Sequence, residues 1–263
     1  MTETTPAADW PAPQPGAAPL PKMIAAQSGL ELRTLLRNGE QLLLTLIIPV
    51  LLLVVFSAEA LINMGKGSRI DFMAPGVLAL AVMSTSFTSL AIGTAFERRY
   101  GVLKRLGATP LSRSGLIWSK AVSVLAVEAG QVVVIVVVSL LLGWHPVVSA
   151  TSVIASVLAI VVGSAAFSGL AMLMAGTLRA EATLAAANLV YLILLGIGGI
   201  VFPLTKFPAG MRPALLLLPS GALSDALRSV LRYGAALPAR DLLVLAVWAL
   251  VGIGLAARTF RWE

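Results

Sequence analysis

The chain has 263 residues, 58% of them hydrophobic and 12% charged, and its mean hydropathy is +0.94. A soluble domain carries roughly twice that charged fraction, so the composition excludes an ordinary water-soluble protein. The formal net charge of +7 does not indicate nucleic acid as a partner, because much of the basic charge flanks apolar runs, where it orients a membrane protein and meets lipid headgroups.

Residues 1–21 are rich in proline and alanine, with Glu3 and Asp9 as their only charges. Such a segment cannot bury a core and is expected to be a disordered tail. It also lacks the basic start and apolar centre of a secretory signal. Residues 22–40 read as an amphipathic helix lying in the membrane interface. Ile24, Ala25, Leu32, Leu35 and Leu36 share one face of it, and Lys22, Arg33, Arg37 and Glu40 lie on another.

From residue 41 to 263 the apolar residues come in blocks of about twenty, long enough to cross the roughly 30 Å hydrocarbon layer as helices. Short alternating segments of the kind that build a membrane β-barrel are missing from the sequence. Six spans are predicted, at about residues 42–62, 75–95, 117–142, 147–175, 183–202 and 241–258. Pro49 should kink the first, because it brings no N–H to the helix ladder. The expected fold is an all-α membrane protein of six transmembrane helices, with an interfacial helix before them and an outer re-entrant helical hairpin before the last span.

Between the second and third spans lies a polar island, Phe96 to Ala121. Six of its side chains are basic (Arg98, Arg99, Lys104, Arg105, Arg113 and Lys120) and only Glu97 is acidic. Short loops rich in Lys and Arg stay in the cytoplasm. With Lys22, Arg33 and Arg37 before the first span, and Arg258 and Arg261 after the last, the pattern puts both termini inside. The loop 203–240 then falls outside and strains the rule, since it carries Lys206, Arg212, Arg228, Arg232 and Arg240. Glu97–Leu106 has helical spacing, with Val102, Leu103 and Leu106 on one side. Gly107 is placed to cap it, Pro110 forbids continuation, and Ser112 can start the next helix.

The outer loop has its own pattern. Pro213–Leu218 is too short to cross and is stopped by Pro219. Ser220 or Ser224 can cap a helix over Asp225–Tyr233, ended by Gly234. Two short helices dipping into the outer leaflet fit this spacing.

No catalytic constellation is legible. There is no cysteine, which excludes disulfides, thiolate catalysis and cysteine metal sites. The single histidine, His145, sits beside Trp144 and Pro146 in an uncharged turn and reads as interfacial rather than as a metal ligand. The cluster Gly65-Lys66-Gly67-Ser68 lacks the upstream glycine of a phosphate-binding loop. Among acidic residues, Glu59 lies near the outer end of the first span and reads as interfacial. Glu128 lies halfway along the third span, with Gln131 nearly one turn on. A carboxylate at that depth calls for a reason: a lining or gate of a substrate path, an inter-helix bond that pins packing, or a proton site. Asn188 and Tyr191 of the fifth span join Glu128 and Gln131 as pathway or gate candidates. Gly196-Ile197-Gly198-Gly199 allows close helix approach, within the subunit or at a dimer seam.

The run ERRYGVLKRLGATPLSRSGLIWSK resembles the signature of ABC-2 type transporter permeases. In order, Glu97-Arg98, Gly101, Arg105-Leu106, Thr109-Pro110 and Lys120 carry the likeness. Leu218-Pro219 followed by Asp225-Ala226-Leu227-Arg228 is similar to the family's outer-loop motif. The resemblance covers nearly the whole chain after the tail, and within the family the chain looks most like drug-resistance permeases of the daunorubicin-exporter type. It implies a multi-pass subunit of the bacterial cell membrane that exports an amphipathic drug-like or lipid-like molecule. Two copies, or this chain and a sister permease, would pair with two ATPase subunits. ATP and magnesium would bind those subunits and no cofactor this chain. The coupling helix, about residues 97–107, would meet the ATPase through Glu97, Arg98, Arg99, Tyr100, Gly101, Val102, Leu103, Lys104, Arg105 and Leu106. Rival readings are an ion-coupled secondary transporter, for which Glu128 is the best ion-site candidate, an integral membrane enzyme acting on lipids, and a non-transporting membrane anchor.

Overall fold

The computed structural model describes residues 16–39, 43–58 and 68–259. The expectations for residues 1–15, Glu40, Glu59, Arg261 and the cluster at 65–67 lie outside these residues. In chain order the elements are α1 (Leu20–Arg37), a π-helical turn Leu43–Ile47 running into α2 (Ile48–Ala58), α3 (Arg69–Met83), a second π-helical turn Ser84–Ser89, and α4 (Leu90–Arg99). Then follow α5 (Val102–Gly107), α6 (Arg113–Leu141), α7 (Ala150–Thr177) and α8 (Ala180–Ile197). A 3₁₀ turn Leu204–Lys206, α9 (Arg212–Leu215), α10 (Pro219–Leu231) and α11 (Ala239–Thr259) complete the fold.

Among the described residues, five stretches are long and apolar enough to cross a membrane: Arg69–Arg99, Ser114–Leu141, Ala150–Thr177, Ala180–Ile197 and Ala239–Thr259. The remaining expected span is described only over 43–58, where its apolar helix Thr45–Ser57 is shorter. Its ladder changes from π to α beside Pro49, a residue that cannot donate to a helical bond.

The second span does not open at Pro75, as the sequence suggests. It begins at Arg69 and carries Pro75 inside α3. Arg228 donates through Nε to the Phe72 carbonyl, one turn before that proline, at 3.2 Å. The fifth span ends early. α8 stops at Ile197, and Gly199 takes φ +70, a left-handed conformation that breaks the helix before Phe202.

In hydrocarbon, helices gain little from hiding apolar surface, because lipid tails are as apolar as leucine; close backbone approach and inter-helix bonds do the work. The α7–α11 contact shows this. A Cβ on Gly169 would come 2.8 Å from the Ile253 backbone nitrogen, and one on Gly252 would come 3.0 Å from the Gly169 carbonyl carbon. Larger residues there would push the two spans apart. Ala159, Ala166, Ala171 and Ala249 line the same core, with Phe87 and Phe167 tilted together at 6.4 Å.

Candidate functional site

The island between the second and third spans is two helices rather than the one expected over 97–106. α4 ends at Arg99, and Gly101 takes φ +71 before α5 starts at Val102. A side chain at that φ would be strained. Gly107 is the last residue of α5 rather than its cap. Ser112 does cap α6, accepting from the Gly115 N–H at 3.1 Å.

α5 is anchored directly by Leu103, and the end of α4 that leads into it is tied by Glu97, Arg98 and Arg99. Leu103 is fully buried, so the middle of the expected apolar face anchors α5 to its own subunit. Arg98 donates to the Leu178 carbonyl, and Arg99 pairs with Glu181, tying the end of α4 to the α7–α8 turn. Lys120 of α6 holds Glu97 at 2.7 Å and Glu31 of α1 at 3.4 Å. Tyr100, Val102, Lys104 and Arg105 remain exposed, and Leu106 is half-buried. A six-residue helix with Lys104 and Arg105 turned outward, preceded by the exposed Tyr100, is therefore set at one end of the bundle.

α1 meets α6 through polar residues that the sequence reading of an interfacial helix did not single out. Ser28 is buried and donates to the Ser119 carbonyl at 3.0 Å. Ser123 donates to Glu31 at 3.0 Å, and Gln27 donates to Glu31 at 3.1 Å. Ile24, Leu32 and Leu35 are half-buried beside this seam, whereas Ala25 and Leu36 are exposed. The apolar stripe is thus split: its inner part packs, and Leu30 and Leu36 stay outside, as suits a helix lying against lipid.

Of the deep polar residues, Glu128 and Gln131 lie inside the subunit. Glu128 is 1% exposed; Ser164 donates to its Oε1 at 3.1 Å, while Oε2 is buried with no partner. Gln131 accepts from Thr85 at 2.9 Å and donates to the Thr45 carbonyl at 2.6 Å, so one amide joins both π-helical turns to α6. π-helical turns concentrate at functional sites. Asn188 is not brought to them: it is exposed on α8 and donates back to the Leu184 carbonyl at 3.0 Å. Tyr191 is half-buried on the same helix. Of the glycines just beyond, Gly196 faces open space and Gly198 abuts the Ser220 hydroxyl. That contact is within the subunit.

At the opposite end, α10 starts at Pro219, which opens the helix instead of stopping the one before. Proline suits a first turn, where its missing N–H is not needed. Ser220 and Ser224 lie inside that helix and not at its cap; Ser224 donates to the Gly198 carbonyl at 2.9 Å. Arg228 is buried, donates to the Ile200 carbonyl at 3.0 Å and stacks on Phe72 at 3.8 Å from the ring centre. Arg212 donates to the Phe207 and Thr205 carbonyls. Two of the five cations that strained the charge rule thus serve backbone carbonyls of their own chain. His145 is exposed in its turn. Among the described residues no group of acidic or histidine side chains could hold a metal ion.

The sequence reading missed Glu31, Thr85 and Ser164. Glu31 follows Gln27 by four residues on the face of Ser28, a polar stripe that periodicity alone could have marked. Thr85 and Ser164 carry no such signal, because isolated hydroxyls are ordinary in spans.

The model of the ABC-2 type transporter family matches residues 29–231, from the middle of α1 to the end of α10. No curated protein sequence matches the chain.

Proposed function

Because the chain belongs to the ABC-2 type transporter family, and so is a multi-pass membrane component of an ABC transporter, we propose that it is the permease of an ATP-driven exporter. Its cargo is an amphipathic drug-like or lipid-like molecule taken from the cytoplasm or the inner leaflet. The site is the plasma membrane of a bacterium, with six spans, both ends of the chain inside, and residues 203–240 folded as an outer re-entrant hairpin. Two permeases, this chain twice or with a sister, work with two ATPase subunits that bind ATP and magnesium.

One observation carries the reading. α5 is a short helix anchored inward by Leu103, and the end of α4 that leads into it is tied to α6 through Glu97 and to the α7–α8 turn through Arg98, while Tyr100 before it and Val102, Lys104 and Arg105 on it face outward. An element built this way transmits force instead of absorbing it. Of the four deep polar residues, Asn188 and Tyr191 suit a path between two permease copies. Glu128 and Gln131 suit a gate held by inter-helix bonds. A secondary transporter remains the rival; it would require Glu128 to exchange an ion.

The test is co-purification in detergent with a co-expressed soluble partner carrying GxxxxGK[ST]. Tyr100→Asp together with Val102→Asp should release that partner while the permease stays folded and inserted. Full retention of the partner would remove α5 as the docking element.

A further inference from the structure

The end of the bundle that carries α5 holds a cavity of about 290 Å³ that the reading above does not use. Leu103 forms part of its wall, together with Ile117 of α6, Met172 of α7 and Ile253 of α11. Ile117 is 47% and Ile253 49% exposed, so the mouth opens on the outer surface of the spans. In a membrane protein that surface meets lipid chains.

One wall is different. Thr94 of α4 is 1% exposed, and its hydroxyl has no partner. Thr94, with Leu90 and Lys120, also lines a second cavity of about 340 Å³ whose walls include Glu31, Glu97 and Ser123. Thr94 therefore stands between an apolar chamber and one whose wall carries charged side chains. It lies five residues before the end of α4 at Arg99, roughly 7.5 Å along the helix. The interfacial layer of a bilayer is of similar depth, roughly 5–8 Å on each side. Chain–headgroup ester links lie at the inner edge of that layer. A buried hydroxyl left without an acceptor is unfavourable, and here one acceptor chemistry fits its depth.

We propose that the cavity binds one acyl chain of a surrounding membrane phospholipid, whose ester carbonyl accepts the Thr94 hydroxyl. The phosphate is not the recognised group: the Lys120 ammonium at this wall is already met by two carboxylates, which leaves no cationic excess for an anion. The lipid then packs on Leu103, the inward anchor of α5. The assignment holds whatever docks on α5.

The test uses the full chain in nanodiscs of ester-linked phosphatidylcholine bearing a diazirine on one acyl chain, with adducts mapped by mass spectrometry. Adducts are expected at Leu103 or Met172, inside the chamber. Ala121→Phe, which fills the chamber, should cut them about fivefold while leaving adducts at Leu189 and Leu243 unchanged. Thr94→Val, nearly the same shape, should cut cavity labelling about threefold, the worth of one hydrogen bond. With ether-linked lipid, wild type and Thr94→Val should label alike. Adducts confined to outward positions, or equal cavity labelling by ester lipid in wild type and Thr94→Val, would overturn the proposal. A free diazirine fatty acid that labels the cavity better than the phospholipid would overturn the ester assignment.

Discussion

Replacing Lys120 with methionine removes the one cation from a site that holds two carboxylates. Lys120 is 4% exposed, the Glu31 side chain 12% and the Glu97 side chain 30%. Truncating one member of a fully buried pair costs about 3–5 kcal/mol, mostly because the partner is left charged and unsolvated. Glu97 is wet enough to recover much of its hydration, and Glu31 is not, which brings the expected cost to about 2–3 kcal/mol. Methionine matches the lysine stem in length, so little of the loss comes from packing. Arg99 provides the contrast: its pair with Glu181 is 50% and 64% exposed, and Arg99→Ala should cost no more than about 1 kcal/mol. Unfolding of the purified protein by SDS titration measures both. The double variant Lys120→Met with Glu31→Gln should be more stable than Lys120→Met alone, because the stranded charge is gone. A Lys120→Met protein within about 0.5 kcal/mol of wild type, or a double variant no better than the single, would refute the account of this cluster.

Arg228→Lys keeps the charge but loses the planar fork that serves Phe72 and Ile200 together, so the same titration should show a loss of about 2 kcal/mol; an unchanged midpoint contradicts the bonding described. Glu128→Gln retains an acceptor for Ser164 and should stay within about 0.5 kcal/mol of wild type, while altering which compounds are transported; normal transport of every compound tested would end the gate reading. For orientation, the chain has no native cysteine, so Tyr233→Cys should react with an impermeant thiol reagent on intact cells and Arg105→Cys should not. The reverse pattern would invert the topology. Tyr233 is chosen because Ser220, the obvious position from sequence, is buried.

What the sequence made legible follows from length scales. Apolar blocks of about twenty residues can be counted without knowing any contact; the helices α6, α7 and α11 start and stop within four residues of those blocks, whereas α8 stops at Ile197 rather than 202. Ser112 was readable as a cap because capping is local. Pro75 and Pro219 were misread because proline has two meanings, a break within a helix or a favourable first turn, and only tertiary partners decide between them. The single helix over 97–106 failed at Gly101, whose freedom to take positive φ leaves no trace in periodicity. Glu31 and Lys120 lie far apart in sequence, and nothing local pairs them. Leu103 is fully buried against its own subunit, which spacing alone could not separate from an outward face, so the proposed docking rests on Tyr100 and Val102.

The central claim is that α5 is the contact through which an ATPase drives this permease. Its most direct measurement places a photo-crosslinking amino acid at Val102 in the assembled complex, with Tyr233 as the control at the opposite end. The account predicts a crosslink from position 102 to the protein bearing GxxxxGK[ST], none from 233, and ATP hydrolysis that falls when the crosslink forms. An intact, ATP-hydrolysing complex that crosslinks from 233 and not from 102 would contradict it.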